Sequence, residues 1–80
     1  MFYYIYVLKS SKDGNLYVGY TENLKSRLEQ HNNGLVDSTK TRRPFSLIYF
    51  EGCLNKSDAI NREKQLKTGF GRAYLKRRIS

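Results

Sequence analysis

Tyr3-Tyr4-Ile5-Tyr6-Val7-Leu8-Lys9-Ser10-Ser11-Lys12-Asp13-Gly14-Asn15-Leu16-Tyr17-Val18-Gly19-Tyr20 is the stretch on which the fold turns. Phe2 to Lys9 is apolar at successive positions and not only at alternate ones, the pattern of a strand covered on both faces. Ser10 to Gly14 is polar and ends in Asp13-Gly14, a pair that favours a tight turn between antiparallel strands. Asn15 to Tyr20 reads as the returning strand. The length of the turn decides what the hairpin displays. With Ser11 to Gly14 as a four-residue loop, Tyr6 pairs with Gly19 and Leu8 with Tyr17. Tyr6, Tyr17 and Gly19 then share a face, and the missing Gly19 side chain leaves room for a ligand. A symmetric five-residue loop puts the two tyrosines on opposite faces, because side chains alternate along a strand. Both registers fit the sequence.

Outward from the hairpin, Asn23 is placed to cap a helix over Leu24 to Asn32, and Asn33-Gly34 to end it. A polar, basic loop follows from Asp37 to Pro44, then a third strand from Phe45 to Cys53. Asn55 caps a second helix with Asp58 in its first turn, running to about Lys67. Thr68-Gly69-Phe70-Gly71 breaks the chain, and Arg72 to Ile79 forms a short basic helix. The order is ββαβαα, an α+β domain over residues 1–80.

Eighty residues supply one core, which buries only about 60–65% of the surface of the unfolded chain. Fifteen Lys and Arg against seven Asp and Glu leave a net charge of +8. So large an excess attracts polyanions, with nucleic acid ahead of a membrane surface. There is no apolar run long enough to span a bilayer and no basic amphipathic helix with a broad apolar face. Met1 to Tyr6 has neither a basic leader nor a cleavage site and reads as strand. Cys53 is the one cysteine, so no internal disulfide forms, which fits a reducing cytoplasm. At the end of an apolar strand Cys53 is expected to be a buried small hydrophobe. One Cys and one His cannot supply a structural zinc site.

Two helices carry polar residues where apolar ones are expected. At about 100° per residue, Leu24, Arg27, Leu28 and His31 fall on one arc of the first helix, opposite Lys25, Ser26, Glu29 and Gln30. Arg27 and His31 are a turn apart on the same stripe. A snorkelling Arg and an edge His would account for them equally well. In the second helix Ala59, Ile60 and Leu66 define the inward face, and Glu63 projects from its middle. An ionised carboxylate buried without a partner costs several kcal/mol. Glu63 is therefore expected to meet a cation: Arg27, another base, or a metal. Tyr3, Tyr49 and Tyr74 read as amphipathic core residues, whereas Tyr6 and Tyr17 stand out through their relation to Gly19.

Tyr4-Ile5-Tyr6 followed by Tyr17-Val18-Gly19 resembles the paired signature of the GIY-YIG nucleases. The likeness continues through Thr21, Leu24, Arg27, Leu28, His31, Asn32, Gly34, Pro44, Leu47, Tyr49, Glu51, Ala59, Glu63, Leu66 and Lys67, nearly the whole chain in order. It is nearest in type to the stand-alone bacterial members and to the nuclease domain of the bacterial repair excinuclease. The resemblance implies a three-stranded antiparallel sheet flanked by helices. It also implies hydrolysis of DNA phosphodiester bonds with one divalent metal ion, Mg or Mn, in DNA repair or processing. By the same resemblance Tyr6 and Tyr17 activate water, with Tyr6 as general base. Arg27 clamps the phosphate, His31 takes or shuttles the proton, and Glu63 holds the metal. Arg27 and the metal would favour the Tyr6 phenolate, whose ordinary pKa is about 10. Two departures are visible: Tyr4 stands where the motif has Gly, and no asparagine follows Glu63.

The expected substrate is branched, nicked or damaged DNA in preference to a specific sequence, because no second DNA-binding domain is expected to supply sequence specificity. A repair protein is a further expected partner. Lys40, Arg42 and Arg43 in the loop, and Arg72, Lys76, Arg77 and Arg78 at the C-terminus, are the expected phosphate contacts. Two other functions are compatible with parts of this sequence. One is a catalytically degenerate DNA-binding domain of the same fold. The other is an RNA-binding module, because Lys67 to Tyr74 loosely resembles the longer signature of an RNA-recognition motif. That fold requires a helix directly after its first strand, and here a hairpin follows.

Overall fold

The doubly apolar run around Ile5 to Leu8 becomes the central strand of the sheet. A computed structural model describes residues 1–79. Strand β1 (Tyr3–Ser10) lies between β2 (Leu16–Thr21) and β3 (Phe45–Cys53), and both pairings are antiparallel. Helix α1 (Leu24–Asn32) follows β2, and after β3 come α2 (Lys56–Leu66) and α3 (Gly69–Ile79). The expected order ββαβαα is the observed one. Within the basic loop, Lys40–Arg42 winds into a single 3-10 turn.

Each face of β1 builds its own core. Ile5 and Val7 pack with Ala59, Leu66 and Leu75 under α2 and α3. Tyr6 and Leu8 pack with Phe45 and the half-buried Leu24 and Leu28 of α1. Full withdrawal of a Leu or Ile side chain contributes about 1.5–3 kcal/mol, so four such residues carry much of the stability. Cys53 is half-buried at the margin of the first core. Among the described residues no helix is long and apolar enough to cross a membrane.

The caps are where the sequence puts them. The Asn23 side chain accepts from Ser26 N at 3.0 Å, and the Asn55 side chain from Ser57 N at 2.9 Å and Asp58 N at 3.3 Å. The C-terminal break is shorter than expected. Helix α3 starts at Gly69, because Thr68 acts as its cap: Thr68 Oγ1 accepts from Gly71 N at 3.2 Å, and Arg72 N donates to Thr68 O at 2.9 Å. Gly71 sits against the backbone of Gln65 and Leu66, where a Cβ would collide. Its role is close helix approach and not chain breaking.

Candidate active site

The hairpin adopts the four-residue-loop register, with Tyr6 opposite Gly19 and Leu8 opposite Tyr17. Ser10 closes the turn through Ser10 N to Asn15 O at 3.0 Å and Gly14 N to Ser10 O at 2.9 Å. Tyr6, Tyr17 and Gly19 therefore share the sheet face that α1 covers. The space over Gly19 is not left for a ligand, however. A Cβ there would run into Oη, Cζ and Cε1 of Tyr6, so the glycine makes room for the Tyr6 phenol itself. The Tyr6 ring lies across β2, an edge strand of the sheet.

Helix α1 brings its polar stripe onto that phenol. Arg27 Nε donates to Tyr6 Oη at 3.2 Å, and Tyr6 Oη is 2.9 Å from His31 Nε2. His31 is wholly buried and Tyr6 is 2% exposed. The Tyr17 ring stands edge-on to His31 with centroids 5.0 Å apart, and tilted to Tyr6 at 6.3 Å. Four of the five expected residues thus meet within one cluster. The Arg27 guanidinium is further fixed by Nη1 donating to Gln30 Oε1 at 2.9 Å. It borders a shallow cleft whose lining includes Thr21, Asn23 and Ser26.

Burial sets the protonation of this cluster. It pushes the Tyr6 phenol above its usual 10.0, outweighing the opposite pull of the Arg27 hydrogen bond and charge. Arg27 alone therefore does not create the phenolate expected from the sequence. Burial, reinforced by the Arg27 charge, holds the His31 imidazole down at about 4. Both rings are neutral at pH 7.

Glu63 approaches from α2, on the opposite face, near enough for its charge to raise the Tyr6 phenol. Its side chain is 20% exposed and pairs with Lys67 Nζ at 3.5 Å, one turn on. Arg27 is committed to Tyr6 and Gln30, so the alternative Glu63–Arg27 bridge does not form. The cation that pairs with Glu63 is thus the residue that caps the C-terminus of its own helix.

The basic candidates divide. Arg42 is engaged internally: its Nε donates to Asp13 Oδ2 at 2.8 Å, and its guanidinium lies 5.5 Å from the Phe45 ring centre. That ion pair holds Asp13 at about 2, since the carboxylate accepts from Arg42 and from the Asn15 backbone. Arg43 donates to Lys40 O at 2.8 Å, and Lys40 is 3.7 Å from Asp37. Arg72, Lys76, Arg77 and Arg78 are exposed on α3, with Arg78 also 5.1 Å from the Tyr74 ring centre. Arg72 and Lys76 join Lys9 and Lys67 along a groove between α3 and the hairpin. No acidic residue lines that groove among the described residues.

Two groups of residues were missed from sequence. Thr39 lies fully buried in the polar loop with Oγ1 2.7 Å from His31 Nδ1, and nothing in its neighbours signals that position. The other group is an ion pair on the far face, where Arg62 donates through Nε to Glu51 Oε1 at 2.8 Å and through Nη2 to Oε2 at 2.9 Å. The Tyr49 hydroxyl donates to the same carboxylate at 2.5 Å, and Arg62 stacks 4.7 Å from the Tyr74 ring centre. Glu51 alternates with Tyr49 and Cys53 on β3, and Arg62 is spaced between Ala59 and Leu66. The logic applied to Glu63 would have found both.

The profile described as the GIY-YIG catalytic domain matches residues 2–78. A UPF0213 protein of Staphylococcus saprophyticus is 46% identical over 67 residues, which is 82% of this chain and 80% of the relative. One from Staphylococcus aureus is 43% identical over 67 residues, with the same coverage. The solution NMR structure of a UPF0213 protein from Bacillus halodurans matches 94% of this chain and 82% of its own, with 29% identity and a TM-score of 0.58. This chain, with both signature tyrosines against α1 and the sheet order just described, belongs to the GIY-YIG family, a family of nuclease type.

Proposed function

We propose that this protein is a divalent-metal-dependent endonuclease that hydrolyses phosphodiester bonds in DNA. The carrying observation is the buried chain Arg27 Nε–Tyr6 Oη–His31 Nε2, with contacts of 3.2 and 2.9 Å. It joins an anion-binding guanidinium, a hydroxyl able to relay a proton, and a neutral imidazole able to accept one. Since burial holds the Tyr6 phenol above its usual 10.0 and the His31 imidazole at about 4, both rings rest neutral and a standing phenolate–imidazolium pair is disfavoured. Tyr6 therefore serves as a relay: its Oη accepts the proton of the attacking water while its own proton passes to His31 Nε2. The new P–O bond forms as the bond to the leaving oxygen breaks. Arg27 stabilises the charge that grows on the phosphoryl oxygens, and Tyr17 helps orient the water.

Glu63 is the proposed metal ligand. Among the described residues no three His, Cys, Asp or Glu side chains converge on one point. A single part-exposed carboxylate fits Mg or Mn, which keeps several waters and takes the rest of its shell from substrate phosphate. When bound there, the ion would neutralise charge on the leaving oxygen. The groove bearing Lys9, Lys67, Arg72 and Lys76 supports a polyanionic substrate. Branched, nicked or damaged DNA in the cytoplasm, with a repair protein as partner, completes the proposal.

The test is cleavage of branched, nicked and linear duplex DNA with Mg and with chelator, for the wild type and Glu63→Gln. The substitution removes a part-exposed i,i+4 pair worth about 0.3–0.5 kcal/mol, so the variant should fold and bind DNA but not cut. A wild type that binds without cutting any substrate would favour the degenerate binding domain. A Glu63→Gln variant that cuts normally would remove Glu63 from the chemistry.

A further inference from the structure

We infer that Thr39 is a positioning residue that keeps the His31 proton on Nδ1 and so leaves the Nε2 lone pair facing the Tyr6 hydroxyl. A count of donors and acceptors leads there. Tyr6 Oη has two polar neighbours, Arg27 Nε at 3.2 Å and His31 Nε2 at 2.9 Å. Arginine only donates, so the Tyr6 proton must go to His31, and Nε2 must accept. A neutral imidazole that accepts at Nε2 carries its proton on Nδ1, where Thr39 Oγ1 lies 2.7 Å away. Thr39 in turn has a place for its own proton, donating to Val36 O at 3.4 Å. Every donor is used once, and the chain runs one way: Arg27 to Tyr6, to His31, to Thr39, to the Val36 carbonyl. The reverse tautomer would give Tyr6 Oη two donors and leave its own proton without an acceptor.

The surroundings leave His31 Nδ1 to Thr39. His31 is flanked by Tyr6 from β1, Tyr17 from β2, Phe45 from β3 and Arg27 on its own helix. None of these reaches Nδ1. Thr39 is also held in place independently of His31. Thr39 N and Lys40 N both donate to Val36 O, at 3.1 and 3.0 Å, and Arg42 N donates to Thr39 O at 2.9 Å. The loop is then tied to the hairpin turn: Ser10 Oγ donates to Arg42 O at 2.6 Å and Lys12 Nζ to Thr41 O at 2.9 Å. The basic loop is thus a brace that carries one hydroxyl into the interior. In an unrestrained imidazole the proton prefers Nε2. Without the Thr39 acceptor, Nε2–H would point at Tyr6 Oη and close the relay.

The catalytic consequence rests on the nuclease reading, but the tautomer does not. The chain has one histidine, so a long-range proton–nitrogen NMR spectrum at pH 7 reports His31 alone. We expect the wild type to show a protonated Nδ1 and an unprotonated Nε2. Thr39→Val, similar in shape but without the hydroxyl, should shift the proton toward Nε2 and lower kcat about 10²-fold. Thr39→Ser should restore both. A wild type with its proton on Nε2 overturns the inference, as does a Thr39→Val protein that keeps Nδ1–H. Should Thr39→Val fail to fold, the wild-type spectrum still decides between the tautomers, and Thr39→Ala supplies the hydroxyl-free variant. A wild type that cuts no DNA defeats the nuclease reading and leaves the tautomer result standing or falling by itself.

Discussion

Adding one methyl group at Gly19 should unseat the proposed catalytic tyrosine. Gly19 has no positive φ, unlike Gly14 and Gly34, so alanine is compatible with its backbone and the effect is purely steric. The new Cβ would overlap Oη, Cζ and Cε1 of Tyr6. The ring has little freedom to retreat. It is 2% exposed, it packs against Tyr17 and His31 at centroid distances of 6.3 and 5.7 Å, and its hydroxyl is held by Arg27 and His31. Overpacking of this kind costs about 1–3 kcal/mol. Losing the hydrogen bond from the charged Arg27 adds about 1.5–3 kcal/mol. A domain of this size has roughly 4–12 kcal/mol in hand, and each kcal/mol lowers its melting temperature by about 4–8 °C. Gly19→Ala should therefore melt at least about 10 °C early.

Thermal melting of a double-mutant cycle with Tyr6→Leu checks the cause. If the penalty comes from the phenol, the alanine should cost much less once that ring is gone, with a coupling of at least about 1 kcal/mol. The competing idea is that Gly19 leaves space for substrate. In that case Gly19→Ala would melt within about 2 °C of the wild type and lose only DNA affinity or cleavage. That outcome, or a cycle with no coupling, would refute the steric account.

Two further predictions follow from the buried polar groups. His31 falls from 6.5 in the unfolded chain to about 4 in the fold; its stabilisation is complete above pH 6.5 and is lost as pH drops toward 4, by about 3 kcal/mol. Melting temperature should decline across that window before the depressed Glu51 carboxylate adds its own loss below 4.5, and His31→Gln should flatten the first decline. Arg62→Met strands the Glu51 carboxylate and removes two hydrogen bonds of 2.8 and 2.9 Å, at a cost of about 2–3 kcal/mol, below that of a fully buried pair. Chemical denaturation should show Glu51→Gln recovering part of that loss in the double variant, and full additivity would mean the two residues do not depend on each other.

What could be read from the sequence is what local chemistry decides. The central strand announced itself because Ile5 to Leu8 leave no polar residue for solvent, and the caps because Asn23 and Asn55 precede apolar periodicity. The α1 stripe was legible for the same reason: helical spacing alone brings Arg27 and His31 together. Features that depend on distance between elements were not legible. The hairpin register hung on one residue of loop length. The void at Gly19 could be assigned only once the direction of the Tyr6 ring was known. Gly69 to Gly71 looked like a break because glycine disfavours helix, yet Gly71 is required by the approach of α3 to α2. Arg42 looked like a phosphate contact because the loop around it is basic, while Asp13, 29 residues away, occupies it.

The proposed chemistry and the second core are built from the same side chains. Tyr6 and His31 are as deeply buried as Leu8, and with Thr39 they form a polar network in which each buried donor has an acceptor. Satisfied networks of this kind hold a core in one arrangement, while partly satisfied ones weaken it. Truncating Tyr6 or His31 would therefore remove a proton path and a piece of the core in one step, so lost cutting by such variants says little about mechanism. Arg27 holds the Tyr6 hydroxyl and so belongs to the same network, whereas Glu63 is part-exposed and pairs with Lys67 at 3.5 Å. That position, together with the tautomer at His31, is where chemistry can be separated from stability in a domain this small.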